Sequence, residues 1–199
     1  MGDATVTDEV LMLAVRDGDL ASLGLLFERH HVALFGFLSR MTGDRNAAED
    51  LVQDVFVRVL KYRGTYREGG SFETWLFRIA RNARADHFRK RKPVEPVPDE
   101  ELDGPSGAES PAHQLERERD TNRLKRALLM LREDKRELIV LARYQAMRHE
   151  AIAELLGIDT GAVKVRIHRA IKELREIFLG IPERPSCDVK TSTRNLRII

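Results

Sequence analysis

Apolar residues recur every three or four positions through the middle of the chain, the spacing that places them on one face of a helix. One such stripe consists of Leu51, Val52, Val55, Phe56, Val59 and Leu60. The next consists of Phe72, Trp75, Leu76, Ile79, Ala80 and Ala83. We therefore predict two helices on either side of the loop KYRGTYREGGSF, whose glycines permit turns.

Two further helices are predicted before this pair. Thr7 is suited to cap the first, which has acidic residues in its first turn, and Gly18 ends it. Asp19 is suited to cap a longer helix that runs through Met41.

Polar residues also predict where the helix around residue 50 begins. Gly43 and Asp44 break the preceding helix. Asn46 followed by Glu49 fits a variant of the capping box, in which two side chains satisfy free backbone donors. We therefore expect Asn46 to be the N-cap of this helix.

The second half of the chain is helical again from residue 114. Apolar stripes predict one helix lined by Leu124, Ala127, Leu128 and Leu131, and another lined by Leu138, Ile139, Leu141 and Ala142. A short apolar segment then ends at Gly157, and Asp159 or Thr160 can cap a longer helix with a basic outer side. This order of elements is typical of a helix-turn-helix.

A change in composition divides the chain. Residues 93–113 hold most of the prolines, several acids and little that could be buried, which is typical of an extended linker. The acidic side chains of this linker either mimic a nucleic-acid backbone or serve only to keep the linker solvated. We predict an all-α protein with two small helical domains, residues 1–92 and 114–180, that are independent of each other. Residues 181–199 form a tail without clear periodicity.

Composition excludes several classes of protein. The chain has 199 residues, 33% of them charged, a net charge of +2 and one cysteine, so it has no internal disulfide framework. The apolar runs are too short to cross a membrane, and the N-terminus lacks the apolar core of a secretion signal. The histidines have no partners at metal-ligand spacing, and no phosphate-binding glycine loop is present. We therefore expect a cytoplasmic protein with no metal, no cofactor, no membrane insertion and no enzymatic activity.

Charge is distributed unevenly between the predicted helices. The helix around residue 50 begins with the polar group Asp50, Gln53 and Asp54. The next helix exposes Arg78, Arg81, Asn82, Arg84 and Arg89, and the last exposes Lys164, Arg166, His168, Arg169 and Lys172. Lysine and arginine neutralise phosphates, so the basic faces favour nucleic-acid binding, whereas the acidic face suits a protein partner.

The loop between the two central helices has two interpretations. Tyr62, Tyr66 and Phe72 lie among arginines and are suited to stack on unpaired bases. The same rings can instead pack beneath their own loop, and the residue types do not separate these alternatives.

The segments DLVQD and SFETWLFRIARNARADHFRKR resemble the conserved second region of bacterial sigma factors. A short chain of this kind, with a C-terminal helix-turn-helix, is similar to the extracytoplasmic-function (ECF) group, and the resemblance covers about residues 8–178. It implies that the protein joins the RNA polymerase core enzyme, recognises the -10 and -35 elements of promoters, and promotes their melting. Binding of unpaired bases would offset an unstacking cost of a few kcal/mol per base.

The resemblance also implies roles for individual residues. Binding of the polymerase core is implied for Asp50, Gln53 and Asp54. Binding of the -10 element is implied for Arg63, Tyr66, Ser71, Phe72, Trp75, Arg78 and Asn82. Reading of the -35 element is implied for Lys164, Arg166, His168 and Arg169. Many members of the group are held inactive by an anti-sigma protein, so an anti-sigma partner is expected too.

The chain departs from the family pattern at a few positions. Ala146 stands where the family commonly has glycine, and Arg148 stands where a hydroxyl residue usually caps a helix. Val165 occupies a position that is often serine. These departures affect the expected -35 preference rather than the fold.

Two other functions are compatible with the residues themselves. One is a stand-alone regulator whose helix-turn-helix binds operators as a dimer, in which case the acidic face is only solvated surface. The other is an RNA-binding accessory factor that uses the loop tyrosines.

Overall fold

The computed structural model describes residues 6–90 and 111–182, which form two groups of helices. They are α1 (Asp8–Asp17), α2 (Leu20–Thr42), α3 (Arg45–Tyr62), α4 (Phe72–Lys90), α5 (Pro111–Met130), α6 (Glu133–Ile139), α7 (His149–Leu156) and α8 (Thr160–Gly180). A 3-10 turn at Arg63–Thr65 follows α3, and a π-helical turn at Val140–Tyr144 follows α6. The predicted all-α fold is confirmed. None of the described helices has the length and apolar character needed to span a membrane.

Polar side chains cap the first two helices as predicted. Thr7 accepts a hydrogen bond from the Val10 N–H at 3.4 Å, and Asp19 accepts one from the Ala21 N–H at 3.0 Å. Gly18 ends α1 with a φ of 110°, a left-handed conformation that glycine adopts at no steric cost.

The predicted N-cap of α3 is wrong. Asp44 is the cap, because its carboxylate accepts a hydrogen bond from the Ala47 N–H at 2.9 Å and α3 begins at Arg45. Asn46 therefore lies inside the first turn, and Glu49 pairs with Arg45 at 3.4 Å instead of closing a capping box. An N-cap must sit where its side chain reaches a free N–H two or three residues on, and Asp44 meets that condition.

Helices α1 to α4 form the first domain, and their apolar faces meet in one core. The buried residues of α3 and α4 include Leu51, Val52, Val55, Phe56, Val59, Phe72, Leu76, Ile79, Ala80 and Ala83, whereas Leu60 and Trp75 of the predicted stripes are only partly buried. The Phe37 ring meets Phe77 edge-on, with 5.2 Å between centroids, and so joins α2 to α4. Burial of these faces determines which polar residues each helix leaves outside.

Helices α5 to α8 form the second domain, in which α7 and α8 make the predicted helix-turn-helix. Gly157 ends α7 with a φ of 66°. Asp159 is the N-cap of α8, because its carboxylate accepts hydrogen bonds from the N–H groups of Gly161 and Ala162 at 2.7 and 3.2 Å. The side of α8 that faces the core consists of Val163, Ile167 and Ala170.

Two departures from the family pattern affect the start of α7, one through the backbone conformation and one through a missing cap. Among the described residues other than glycine, Ala146 alone has a positive φ, at 50°. A β-carbon in this left-handed conformation costs about 1–2 kcal/mol. Arg148 is the N-cap of α7, and its side chain makes no capping hydrogen bond.

The two domains pack against each other, which contradicts the prediction of independent units. Helix α4 contacts α7, while α2 contacts the π-helical turn and α5. Gly43 lies so close to α5 that an added β-carbon would come within 2.9 Å of Leu129 Cδ1. One of these contacts, the hydrogen bond from Arg136 to the Met41 carbonyl, joins residues 95 positions apart, so composition could not reveal it. Helix α5 begins at Pro111, inside the predicted linker, where the fixed φ of proline suits a first helical position. The rest of the predicted linker and most of the tail lie outside the described residues.

Candidate nucleic-acid interface

The polar face of α3 lies on the surface of the first domain. Asp50 and Gln53 are exposed, whereas Asp54 is half-buried. Asp54 accepts a hydrogen bond from Arg58 Nε at 3.0 Å, and Arg58 also donates to Asp86 on α4 at 2.6 Å. Asp50, Gln53 and Asp54 share one side of the helix because residues three and four apart are neighbours. The structure therefore leaves Asp50 and Gln53 exposed and ties Asp54 to α4 through Arg58.

In this structure the loop aromatics Tyr66 and Phe72 pack beneath the loop, one of the two alternatives left open by the sequence. Tyr66 is only 3% exposed and Phe72 is fully buried. The Tyr66 hydroxyl donates to the Gly70 carbonyl at 2.5 Å, and its ring meets Trp75 edge-on at 5.4 Å. The prediction that Tyr66 and Phe72 contact DNA directly does not fit this arrangement, because both rings are used to pack the loop. Tyr62 and Ser71 remain exposed.

Helix α1 supports the loop from below, a role that sequence reasoning missed. The Glu9 carboxylate accepts a hydrogen bond from the Phe72 N–H at 3.4 Å. Burial, together with nearby Glu9 and Asp8, raises the pKa of Tyr66, so its hydroxyl stays a protonated donor. No local pattern connects residue 9 to residue 72, which are 63 positions apart.

An ion-pair cluster anchors α1 to α2 beside this loop. Asp8 accepts hydrogen bonds from Arg29 Nη1 at 2.7 Å and is 2.6 Å from His30 Nε2. Burial raises the pKa of the Asp8 carboxyl, but the hydrogen bonds from Arg29 and His30 outweigh burial and leave the pKa below its usual value. The ring of His30 also lies edge-on to Phe72, with 5.2 Å between centroids. The histidine therefore has a packing role.

The remaining predicted -10 residues lie along one side of α4 and at the end of α3. Trp75 is partly exposed, and Arg78 and Asn82 are exposed one and two turns further on. Arg63 is half-buried and donates to the Leu60 carbonyl at 2.8 Å. Since Trp75, Arg78 and Asn82 are three and four positions apart, they form a continuous strip.

The predicted -35 residues all lie on the outer side of α8. Lys164, Arg166, His168 and Arg169 are exposed, and Val165 between them is 49% exposed. The core-facing residues Val163 and Ile167 hold the opposite side of the helix. A helix with this division can enter a DNA major groove with its basic side toward the bases and phosphates.

Known proteins are similar to this chain in sequence. Residues 26–94 match the family Sigma-70 region 2, and residues 121–174 match the family Sigma-70, region 4. RNA polymerase sigma factor CarQ of Myxococcus xanthus is 36% identical over 166 residues, covering 82% of this chain and 92% of CarQ. ECF RNA polymerase sigma factor RpoE of Cereibacter sphaeroides is 33% identical over 83% of this chain and 92% of its own length. The chain belongs to the ECF RNA polymerase sigma factors. The resemblance found in the sequence is thereby confirmed.

Solved structures of sigma factors have the same fold. CnrH, in complex with the cytosolic domain of CnrY, superposes with a TM-score of 0.68 and 27% identity, over 88% of this chain and 99% of CnrH. RpoE of Bartonella quintana, in complex with the anti-sigma factor NepR, superposes with a TM-score of 0.63 and 27% identity, over 80% of this chain and 98% of that one.

As a sigma factor, the protein acts with RNA polymerase in promoter recognition and transcription initiation. The first helical domain contains region 2, and the helix-turn-helix domain contains region 4. Membership of this family displaces the alternative of a stand-alone dimeric regulator.

Proposed function

We propose that this sigma factor has three binding surfaces with separate roles. The α3 face binds the polymerase core, the α4 strip with its loop holds the -10 element, and the outer side of α8 reads the -35 element. The observation that carries the proposal is that polar and basic residues are exposed on these helices while the apolar residues between them are buried. The protein acts in the cytoplasm with the polymerase and is not an enzyme.

For the polymerase surface, Asp50 and Gln53 are the most direct test. Asp50→Arg is expected to weaken binding to the core enzyme at least about tenfold. The substitution reverses a charge on the acidic face, so that charge would repel a partner surface complementary to the wild-type face. Asp54→Arg is expected to abolish core binding. Because it also breaks the hydrogen bond with Arg58, a loss of binding by this variant does not separate partner contact from local structure. Glu118→Arg, at an exposed position of α5, controls for the charge change. Equal affinity of Asp50→Arg and the control for labelled core would contradict this assignment.

For the -10 element, the exposed residues carry the proposal. Trp75, Arg78 and Asn82 offer a ring, a cation and an amide in one strip, suited to stacking, phosphate binding and base recognition. Arg63 and Ser71 border the loop beside them. Tyr66 and Phe72 shape the loop from beneath.

For the -35 element, the helix-turn-helix supplies Lys164, Arg166, His168 and Arg169. A bidentate contact between an arginine and a guanine is worth about 1–3 kcal/mol of discrimination. Arg169→Ala is therefore expected to lower discrimination between matched and mismatched -35 sequences while leaving core binding unchanged. A phosphate contact would instead weaken binding to every sequence and reduce the salt dependence.

Run-off transcription with purified core enzyme tests the function as a whole. The template is a duplex selected from a random library by the wild-type holoenzyme. Transcripts that start at one site with the wild-type protein, and that are lost with Asp50→Arg, support the proposal. Binding to the duplex without any transcript in the presence of core would contradict it.

We also propose an anti-sigma partner. Bartonella quintana RpoE is bound to an anti-sigma factor in its solved structure, and this chain shares its fold. Affinity purification from the native cell is expected to recover an inhibitor besides polymerase. Recovery of polymerase alone would count against the partner.

A further inference from the structure

The loop that precedes α4 is held by polar contacts at both of its ends. The Tyr66 hydroxyl donates a hydrogen bond to the Gly70 carbonyl at 2.5 Å. At the other end the Phe72 N–H donates to the Glu9 carboxylate of α1 at 3.4 Å. Ser71, which we assign to the -10 element, lies between these two contacts, so its position depends on both.

The contact with Glu9 lies at the N-terminus of α4. The first N–H groups of a helix have no partner within the helix, and the helix dipole stabilises a carboxylate beside them. Phe72 is the first residue of α4, so a carboxylate on its N–H fixes where the helix begins. Trp75 follows three residues later, and its N–H donates to the Ser71 carbonyl at 3.2 Å. A shift at Phe72 would therefore be carried to Trp75.

Three rings connect this backbone contact to the exposed strip of α4. The Phe72 ring is fully buried, and its centroid lies 6.4 Å from that of Tyr66 and 6.3 Å from that of Trp75. Tyr66 in turn meets Trp75 edge-on, with 5.4 Å between centroids. The orientation of the partly exposed Trp75 ring is thus set by two buried rings, one of which belongs to the residue held by Glu9.

Helix α1 is anchored by residues other than Glu9. Asp8 accepts a hydrogen bond from Arg29 at 2.7 Å and lies 2.6 Å from His30 Nε2. The apolar side of α1, which includes Val15, is buried in the core of the first domain. Loss of the Glu9 carboxylate should therefore leave α1 in place and free only the start of α4.

We infer that Glu9 is a positioning residue for recognition of the -10 element. Its carboxylate fixes the start of α4 and, with it, the placement of Ser71 and Trp75. Groups that recognise a base discriminate well only when they are held within about 0.5 Å of the productive geometry. A looser loop binds several sequences with similar affinity, so Glu9 contributes to selectivity rather than to overall binding. This inference rests on the proposed role of the loop and the α4 strip in binding the -10 element.

Four variants of the full-length chain separate this role from an effect on stability. Glu9→Ala removes the acceptor, whereas Glu9→Gln keeps an oxygen that can accept from the Phe72 N–H. Glu28→Ala, at an exposed position of α2, is the matched control for the loss of a glutamate. Val15→Ala removes buried methyl groups of α1 without removing a polar contact of the loop, and is the control for lost stability.

Trp75 is the only tryptophan of the chain, so its fluorescence reports directly on the strip. Glu9→Ala is expected to move its emission maximum to longer wavelength and to increase quenching by acrylamide, because the ring becomes more accessible to water. Glu9→Gln and the two controls are expected to keep the wild-type emission under conditions in which all four variants are folded. Wild-type emission and quenching in Glu9→Ala would overturn the inference.

Binding of single strands by the holoenzyme measures selectivity. The probe is a fluorescein-labelled single strand of the duplex selected by the wild-type holoenzyme, compared with strands changed at one base of the -10 element. Glu9→Ala is expected to lower the ratio of the two affinities about fivefold, well below the loss of about 100-fold that a displacement of about 1 Å can cause. Its affinities for the changed strands and for the core enzyme are expected to stay at the wild-type values.

The conservative variant and the stability control decide the cause of any loss. Glu9→Gln is expected to retain most of the wild-type ratio, because its side chain still offers an acceptor. Val15→Ala is expected to lower Tm without changing the ratio. An unchanged ratio for Glu9→Ala, or an equal loss in Glu9→Gln or Val15→Ala, overturns the inference.

Failure of the inference and failure of the -10 assignment give different results. Trp75→Ala and Asn82→Ala, each in the otherwise wild-type chain, test the assignment itself. If they weaken strand binding while Glu9→Ala keeps the wild-type ratio, the assignment stands and the role of Glu9 is refuted. If neither weakens strand binding, the α4 strip does not hold the -10 element, and the inference fails with it.

Discussion

Arg58 on α3 donates a hydrogen bond to Asp86 on α4 at 2.6 Å, across 28 positions of sequence. This contact joins the proposed polymerase-binding helix to the proposed DNA-binding helix. The same guanidinium also holds Asp54, and Asp86 has a second partner in Arg89. Contact with Arg58 keeps the pKa of the Asp86 carboxyl below its usual value, with Arg89 adding to the effect.

Arg58→Met should therefore raise the pKa of Asp86 toward its ordinary value, because the largest cause of its lowering is removed. A pH titration followed by carboxyl carbon NMR measures this change. We also expect a fall in Tm of a few degrees, the usual result of losing a single contact in a chain of this size. Arg67→Met, at an exposed loop position, is the matched control. An unmoved Asp86 titration in the Arg58 variant would refute the link between the helices.

Ala146→Gly is expected to stabilise the protein. The left-handed backbone at this position, with a φ of 50°, is strained for alanine, whereas glycine adopts it without steric cost. Relief of about 1–2 kcal/mol of strain, less the greater freedom of glycine in the unfolded chain, leaves a gain of about 1 kcal/mol. Urea unfolding measures it.

The same substitution at Ala85, an exposed site inside α4, provides the comparison. There glycine has no strain to relieve and is expected to destabilise by about 0.5–1 kcal/mol. Destabilisation by both variants would mean that the backbone at Ala146 is not strained.

Asp159→Ala should weaken the start of the recognition helix. The Asp159 carboxylate accepts hydrogen bonds from two N–H groups of α8, and loss of such a cap typically costs about 1 kcal/mol. Asp159→Asn keeps an acceptor oxygen and is expected to lose far less. Thermal unfolding compares the two, and a similar loss for both would show that the cap is not the reason.

Glu73→Gln should make stability less dependent on pH. Burial raises the pKa of Glu73, an effect opposed by His30 and increased by Asp8. A raised carboxyl pKa means that the folded protein favours the protonated form. Its contribution to stability is therefore complete below the unfolded pKa and is lost as pH rises through the folded pKa.

Glutamine cannot ionise, so this variant avoids that loss. The difference in urea midpoint, variant minus wild type, is expected to be larger at pH 7 than at pH 4. Glu28→Gln, at an exposed position of α2, controls for the loss of one charge. A difference that stays constant between the two pH values would argue against a raised pKa at the half-buried Glu73 carboxyl.

Much of the candidate site could be predicted because its signals are local. The apolar stripes of α3 and α4, the Asp159 cap and the basic outer side of α8 all depend on residues within one or two turns of each other. The N-cap of α3 was misplaced because several polar residues precede that helix, and only backbone geometry selects Asp44 among them. For Tyr66 the residue types suited both a contact with a base and a ring packed beneath the loop. Only the positions of the neighbouring helices distinguish these two arrangements.

The sequence by itself determined that this protein is helical, that it has two regions of the sigma family, and which face of each helix is apolar. Helical periodicity and capping depend on residues a few positions apart, so both can be recognised in the sequence alone. Only the tertiary structure decided which polar residues remain available to partners. Contacts such as Arg58 with Asp86, Glu9 with Phe72 and Arg81 with Glu137 join positions 28 to 63 residues apart. No local pattern encodes such pairs, because they arise when packed cores bring distant surfaces together.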